Sequence, residues 1–372
     1  MMKPARLSWI DYARGIAIIL VSYRHVYEGS KESGIFVQDY DFLEYANILF
    51  YSFRMPLFFI ISGIFITKSL QKRGLKSFVE TRARTILYPY FLWGFIQLSL
   101  QIIFTKYTNG HPTVSSYLNL FYLPREIAQF WYLYALFNVS ILYALSKYFL
   151  KLTAIHNIFI GIIFFYLSSI IYQQDIKTGF VFDILHNYIF YAVGDLVSTY
   201  LLDSKKQRFF ESGKTLLIML VPFSAAQIYF LLQNINHSTS KYMFVEYYQP
   251  LIFLLIALIG CAFIISLTFY LQKKDVLKWL TVLGRHSLYI YVAHVIAFSC
   301  VRIILSKVLG IQNVAVILIS GILSGLIIPL LLYKLTVRFN IRWLFTLEKV
   351  PSAENEKILS NLHPYSPREN IL

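Results

Sequence analysis

The sequence of 372 residues is poor in charge. Asp, Glu, Lys and Arg together make up 14% of it, whereas 57% is hydrophobic. A domain that folds in water carries about 25% charged residues, because its surface has to be solvated. This chain lacks the charge to cover such a surface, which excludes a water-soluble fold and predicts one polytopic membrane domain.

Cysteine is also scarce, and the patterns of several common sites are missing. Cys261 and Cys300 both lie in apolar stretches, which indicates buried thiols rather than a disulfide. No Cys/His metal spacing, phosphate-binding glycine loop or internal repeat is present, so no metal is expected. The net charge of +15 comes from Lys and Arg placed between apolar runs, and this placement does not indicate a nucleic-acid partner.

Long apolar runs are abundant. Each needs about 20 residues to cross the roughly 30 Å hydrocarbon layer. Ten runs qualify, at 9–27, 43–67, 85–105, 128–150, 154–172, 182–202, 215–232, 247–271, 282–305 and 313–335. The sixth is the most polar, because it contains Asp183, His186, Asn187 and Asp195. The pattern predicts an all-α bundle of about ten transmembrane helices.

The distribution of Lys and Arg gives the orientation, because loops that stay in the cytoplasm are basic. Roughly 23 of the 34 basic residues lie in alternate loops and at the two ends of the chain. Both termini are therefore predicted to be cytoplasmic. Residues 1–349 form the predicted transmembrane domain, and 350–372 are polar and are predicted to be a disordered cytoplasmic tail.

Four ionisable residues interrupt the first apolar run, where each is costly to insert. Asp11, Arg14 and His25 share one stripe of a helix, with His25 about 16 Å above Arg14 and near the outer interface. Arg24 points to a neighbouring face. Asp11 and Arg14 suit an ion pair near the inner interface. His25 is either a histidine wetted by headgroups or a general base that faces a cavity.

The second and ninth runs also carry polar groups. Arg54 lies beside Pro56 in the outer half of the second run, and Ser62 with its neighbouring glycine permits close helix packing. Tyr291 and His294 share one face of the ninth run. This second stripe is either a set of interhelical hydrogen bonds or a further part of a polar cavity.

The segment 68–84 is strongly basic and includes Lys76, Arg82 and Arg84. It is interpreted first as a cytoplasmic loop that fixes the orientation. A dense cationic cluster next to a membrane cavity also suits a phosphate-bearing donor, because arginine binds phosphate oxygens in pairs. Charge alone does not choose between these two interpretations.

The stretch 9–21, followed by His25, resembles the opening motif of the integral-membrane acyltransferase-3 family, particularly its fucose 4-O-acetylase-like branch. Four later segments resemble further family motifs in the same order, at 55–63, 84–93, 130–133 and 287–294. This ordered resemblance covers roughly residues 7–300. The sequence departs from the pattern at Arg24, where the branch usually has glycine, and in the spacing of Arg82 and Arg84.

The resemblance implies an enzyme that moves an acyl group, usually acetyl, from cytosolic acyl-CoA to a hydroxyl of a cell-surface polysaccharide or its lipid-linked precursor. By the resemblance His25 would be the motif histidine, and Arg14 would support the donor together with the third-helix arginines. The residues predicted to be catalytic are His25, Arg14 and Arg54. His25 would act as general base or, as the alternative, as a transient acyl carrier, while Arg54 or Arg24 offsets the developing negative charge. Donor binding is assigned to Arg82, Arg84, Ser62 and Lys76, and substrate binding or support to Asp11, Arg24, Trp131, Tyr291 and His294.

The competing class is a glycan exporter or flippase that uses the same charges to line a path and forms no ester. Either activity places the chain in the cell membrane, expected to be a bacterial cytoplasmic membrane, with lipid and a glycan or lipid-linked sugar as partners. The oligomeric state stays open, a homo-oligomer included.

Overall fold

The computed structural model describes residues 7–237 and 243–347. Within these ranges the chain forms sixteen α-helices and no strand. They are α1 (Ser8–Glu32), α2 (Asp41–Leu49), α3 (Tyr51–Gly63), α4 (Ile66–Arg82), α5 (Tyr88–Ile103), α6 (Asn119–Tyr122), α7 (Trp131–Tyr148), α8 (Ala154–Gln173), α9 (Phe180–Leu201), α10 (Ser204–Phe210), α11 (Gly213–Asn236), α12 (Phe244–Tyr248), α13 (Pro250–Lys274), α14 (Trp279–Arg285), α15 (Ser287–Ile303) and α16 (Val314–Arg338).

The predicted all-α membrane bundle is confirmed. Nine helical stretches of the described chain are long and apolar enough to cross a membrane. The first helix, α1, is as long as these but carries Asp11, Arg14, Arg24 and Glu28, so its composition sets it apart. It packs against α3, α13, α14, α15 and α16, which surround it.

Three details of the sequence prediction are wrong. Cys261 is buried as expected, but Cys300 is exposed. The basic segment 68–84 is not a loop, because α4 covers most of it and a π-helical turn at Ala83–Leu87 joins α4 to α5. The ninth run is not one helix, because the backbone leaves helical geometry at His286, between α14 and α15. The predicted tail at 350–372 and the two termini lie outside the described residues.

Short connections make successive long helices alternate in direction, which gives the bundle two ends. We call the basic end the one that holds α4, α10 and the segment between α13 and α14, where the Lys-rich connections gather. The opposite end, where α1 finishes at Glu32, is called the cavity end. The positive-inside rule assigns the basic end to the cytoplasm.

Glycines let several helices approach closely, as the sequence around Ser62 predicts. A Cβ atom on Gly63 would lie 2.1 Å from the backbone oxygen of Tyr191, and one on Gly194 would lie 2.1 Å from that of Ile60. The two glycines thus face each other where α3 crosses α9. Such close packing is typical of helix association in membranes.

The helix α9 corresponds to the least apolar of the runs, and its polar residues have partners on other helices. Asp195 accepts hydrogen bonds from Thr67, Tyr143 and Lys147, the last at 2.7 Å. The Asp195 side chain is only 3% exposed, so its charge depends on Lys147. These contacts tie α9 to α4 and α7 in the core of the bundle.

We predict that Gly194→Ala destabilises the bundle, because its Cβ would collide with backbone rather than with a movable side chain. The loss should be about 1–3 kcal/mol, as for other overpacked sites. Gly110→Ala is the matched control, since nothing lies within 4 Å of that position. Thermal unfolding of the purified protein in detergent measures both, and equal melting temperatures would contradict the packing argument.

Asp195→Ala should cost about 3 kcal/mol, because it leaves the Lys147 ammonium half-buried without its carboxylate. Replacing both residues, as Asp195→Ala with Lys147→Met, should restore part of this loss. Thermal unfolding of the two single variants and the double variant gives the coupling energy. Strictly additive losses would show that the ion pair does not stabilise the fold.

Candidate active site

A large cavity of about 1280 Å³ opens at the cavity end of the bundle. Side chains of α1, α3, α5 and α15 form much of its wall, together with the connections that follow α5 and precede α7. The volume is ample for a sugar substrate, since ligand pockets usually measure about 300–1,000 Å³. Five of the predicted site residues line it, namely Arg24, His25, Arg54, Trp131 and Tyr291.

His25 projects into this cavity, as the general-base interpretation requires. Its ring centroid lies 5.2 Å from that of His294, which comes from α15. Within the described ranges His25 forms no hydrogen bond, so both of its ring nitrogens remain available to a ligand. The structure therefore brings together two histidines that are far apart in the sequence.

The orientation of His294 is fixed by the backbone of its own helix. Its Nδ1 lies 2.8 Å from the Tyr291 carbonyl oxygen and 3.1 Å from that of Ile290. Both are acceptors, so Nδ1 carries the proton and Nε2 holds the lone pair in the neutral ring. His294 is fully buried, and its Nε2 has no hydrogen-bond partner in the part of the chain that is described.

Two guanidinium groups lie beside the histidines. Arg24 and Arg54 both contact the Tyr51 ring, at 5.4 Å and 5.7 Å from its centroid. Arg54 is only 1% exposed; its Nη1 donates to the Leu20 carbonyl oxygen at 3.3 Å, and its Nη2 has no partner among the described residues. The part of the cavity wall formed by Arg24 and Arg54 therefore carries two positive charges.

Tyr291 and Tyr132 continue the site towards the basic end. The Tyr291 hydroxyl donates to the carbonyl oxygen of Gln129, and its ring centroid lies 5.2 Å from that of Tyr132. Tyr132 in turn faces Ser62 and the charges of Arg14 and Arg82. A column of side chains thus connects the predicted donor residues to the histidines.

The basic-end residues do not reach the cavity themselves. Arg82 lies over the Phe78 ring and donates weakly to the Tyr191 hydroxyl at 3.5 Å, whereas Arg84 and Lys76 are exposed. None of the three lines the cavity in which His25 lies. The predicted catalytic and donor residues therefore form two groups, with Tyr132 between them.

Asp11 has a structural contact at the basic end. Its Oδ2 lies 3.5 Å from Nε of Arg285, and the Asp11 side chain is 5% exposed. A Cβ on Gly284 would lie 1.7 Å from the Asp11 backbone oxygen, which shows how closely α1 and α14 pack there. Asp11 therefore supports α1 and does not enter the cavity.

Several polar residues near the site received no role from the sequence. Arg125 pairs with Asp183 at 2.7 Å, and His186 pairs with Glu246 at 3.0 Å. Burial favours a raised pKa for Glu246, but hydrogen bonds from His186 and Tyr51 outweigh it and leave this pKa below its ordinary value. The polarity of the sixth run indicated Asp183 and His186, but not their partners. Further lining residues that the sequence reasoning missed are Gln97, Glu28 and Arg302.

The arrangement offers a neutral imidazole as a proton acceptor and positive charge to stabilise an oxyanion. Across residues 7–237 and 243–347, no three His, Cys, Asp or Glu side chains are grouped as metal ligands. These side chains can therefore accept a proton from a ligand and stabilise negative charge that develops next to it.

Comparison with known proteins gives one match. The model of the acyltransferase-3 family, described as an acyltransferase domain, matches residues 7–334. No curated protein and no solved structure matches the chain. The family match spans most of the sequence, including both histidine-bearing helices and the cavity. The chain therefore belongs to the acyltransferase-3 family of membrane acyltransferases.

Proposed function

We propose that the protein transfers an acetyl group from cytosolic acetyl-CoA to a hydroxyl of a cell-surface polysaccharide or its lipid-linked precursor. The observation that carries this proposal is the position of His25, which projects into a cavity large enough for a sugar, beside His294 and two guanidinium groups. The resemblance to the fucose 4-O-acetylase-like branch motivates the choice of acetyl and of a glycan. The enzyme would work in the cell membrane, where lipid surrounds it.

In the proposed reaction His25 acts as general base. It accepts the proton of the sugar hydroxyl while that oxygen attacks the thioester carbonyl, so a C–O bond forms and the C–S bond then breaks. The proton passes from the imidazolium to the departing thiolate, which leaves as CoA. Arg54 or Arg24 stabilises the negative charge on the carbonyl oxygen in the tetrahedral intermediate.

The donor would bind from the basic end. Arg82, Arg84 and Lys76 offer positive charge for the CoA phosphates, and Arg14 lies deeper on α1. The pantetheine arm would then pass Ser62, Tyr132 and Tyr291 to bring the thioester to His25. On this path the residues at the basic end and the residues at the cavity would take part in the same reaction.

A glycan exporter or flippase is the alternative that the same cavity allows. Its charges would line a path for the glycan, and no ester would form. Both ring nitrogens of His25 and Nε2 of His294 have no hydrogen-bond partner in the described chain, which favours proton transfer over simple passage and therefore favours the acyltransferase.

We predict that His25→Ala lowers acetyl transfer about 10²–10⁴-fold, the usual contribution of a general base. The assay uses purified protein in detergent with labelled acetyl-CoA and isolated surface glycan, and mass spectrometry identifies the ester. His111→Ala is the matched control, because His111 is exposed and does not line the cavity. Retained transfer in the folded His25→Ala variant would remove His25 from the mechanism, whereas glycan movement without any ester would favour the exporter.

His294 is proposed as a positioning residue that acts through the His25 ring. His294→Asn keeps a donor near the position of Nδ1 but loses the Nε2 nitrogen, so kcat should fall about 10–100-fold while KM for the acceptor stays unchanged. The pH profile of kcat should shift as well, because a neighbour of the base has changed. A variant with normal kcat and an unaltered pH profile would limit His294 to packing.

A further inference from the structure

The charges that line the cavity are unbalanced. Six Lys or Arg side chains face it, against three glutamates. The glutamates are Glu28, Glu32 and Glu126, and the cations are Arg24, Lys31, Arg54, Arg125, Arg302 and Lys307. A cavity with low-dielectric walls and this excess concentrates anions.

Arg24 and Arg54 are the two of these cations that lie against Tyr51. Neither forms an ion pair with any described carboxylate. Arg125 differs, because it has its own counter-ion in Asp183 at 2.7 Å. Arg54 is buried and Arg24 is half-buried, and like charges against one ring repel each other unless an anion binds between or beside them.

The nearby carboxylates already have other partners. Glu246 accepts hydrogen bonds from Tyr51 at 2.7 Å and from His186 at 3.0 Å. Glu28 accepts from the Asn47 amide at 2.9 Å. The unpartnered Arg54 Nη2 is therefore a buried donor for which the described chain supplies no acceptor.

The proposed reaction does not by itself account for two such groups. The tetrahedral intermediate carries one negative charge, and only for the lifetime of that intermediate. Two permanent guanidinium groups instead suit an anion that is present while the substrate is bound. Guanidinium groups bind carboxylate and phosphate oxygens through paired hydrogen bonds.

We infer that the acceptor carries an acidic group, a carboxylate or a phosphate, which Arg24 and Arg54 hold while a hydroxyl of the same molecule lies at His25. The inference rests on the proposed function, because it names the class of acceptor for that site. An acidic sugar residue would supply a carboxylate, and a phosphorylated or lipid-diphosphate-linked sugar would supply a phosphate. A wholly neutral glycan would leave the guanidinium groups of Arg24 and Arg54 without a counter-ion.

The test measures equilibrium binding of three probes to the purified full-length protein in detergent without acyl-CoA. The probes are glucose, glucuronic acid and glucose 1-phosphate, at one pH and ionic strength. At least one acidic probe should bind ten times or more tightly than glucose, and the better of the two distinguishes carboxylate from phosphate. Equal binding of all three would overturn the inference.

Variants then assign the effect to the two arginines. Arg24→Gln should remove most of the advantage of the acidic probe, and Arg54→Lys, which keeps the charge but not the paired donors, should reduce it. Lys177→Gln is the matched control, because Lys177 is exposed at the cavity end and does not line the cavity. An advantage that survives in Arg24→Gln, or that falls equally in Lys177→Gln, would contradict the assignment.

The inference and the proposed function fail in different ways. If acetyl transfer proceeds with the same KM for neutral and acidic acceptors, the function stands and the acidic acceptor is wrong. If the acidic probe binds selectively but no acetyl is transferred to any glycan, the anion site stands and the acyltransferase proposal is wrong.

Discussion

The structure depends on one constraint, which is that polar groups buried in the membrane bundle need polar partners. A charge inside the hydrocarbon layer is stable only when another helix or a wet cavity provides for it. Asp195 satisfies this condition through Lys147, and Asp183 does so through Arg125. The charged first helix follows the same rule, since α1 is surrounded by five other helices and turns one polar face to the cavity.

The candidate functional site includes polar groups that no such pair satisfies. His25, the Nε2 atom of His294 and the Nη2 atom of Arg54 lack hydrogen-bond partners within the described chain, and they lie in or beside one cavity. Other buried atoms without a partner, such as Nε1 of Trp9 and Oγ of Ser169, lie elsewhere in the described chain. The three groups at the cavity differ from these because a ligand in the cavity can supply their partners. The proposed transfer of an acyl group to an acidic acceptor would supply both the proton for the base and the anion for the arginines.

The sequence predicted the helices well, because apolar runs of about 20 residues have a length that the bilayer dictates. It predicted one stripe of α1 for Asp11, Arg14 and His25 from 3.6 residues per turn, and of these three His25 alone lines the cavity. The sequence prediction was wrong at 68–84, where it expected a basic loop and the structure has α4. A basic loop and a basic helix carry the same charge, so charge could not distinguish them. The prediction gave no partner for Asp183 or His186, because each partner lies on another segment of the chain.

The amino-acid sequence by itself determined the membrane class, the approximate positions of the long helices, and the residues whose polarity required an explanation. These properties are local, because they depend on composition and on the periodicity of one helix at a time. Only the tertiary structure decided that His294 lies beside His25, that Arg24 and Arg54 both lie against the Tyr51 ring, and that Arg82, Arg84 and Lys76 do not line the cavity. Those relations depend on how helices distant in the sequence pack, and glycines such as Gly63 and Gly194 set that packing through contacts that no single helix encodes.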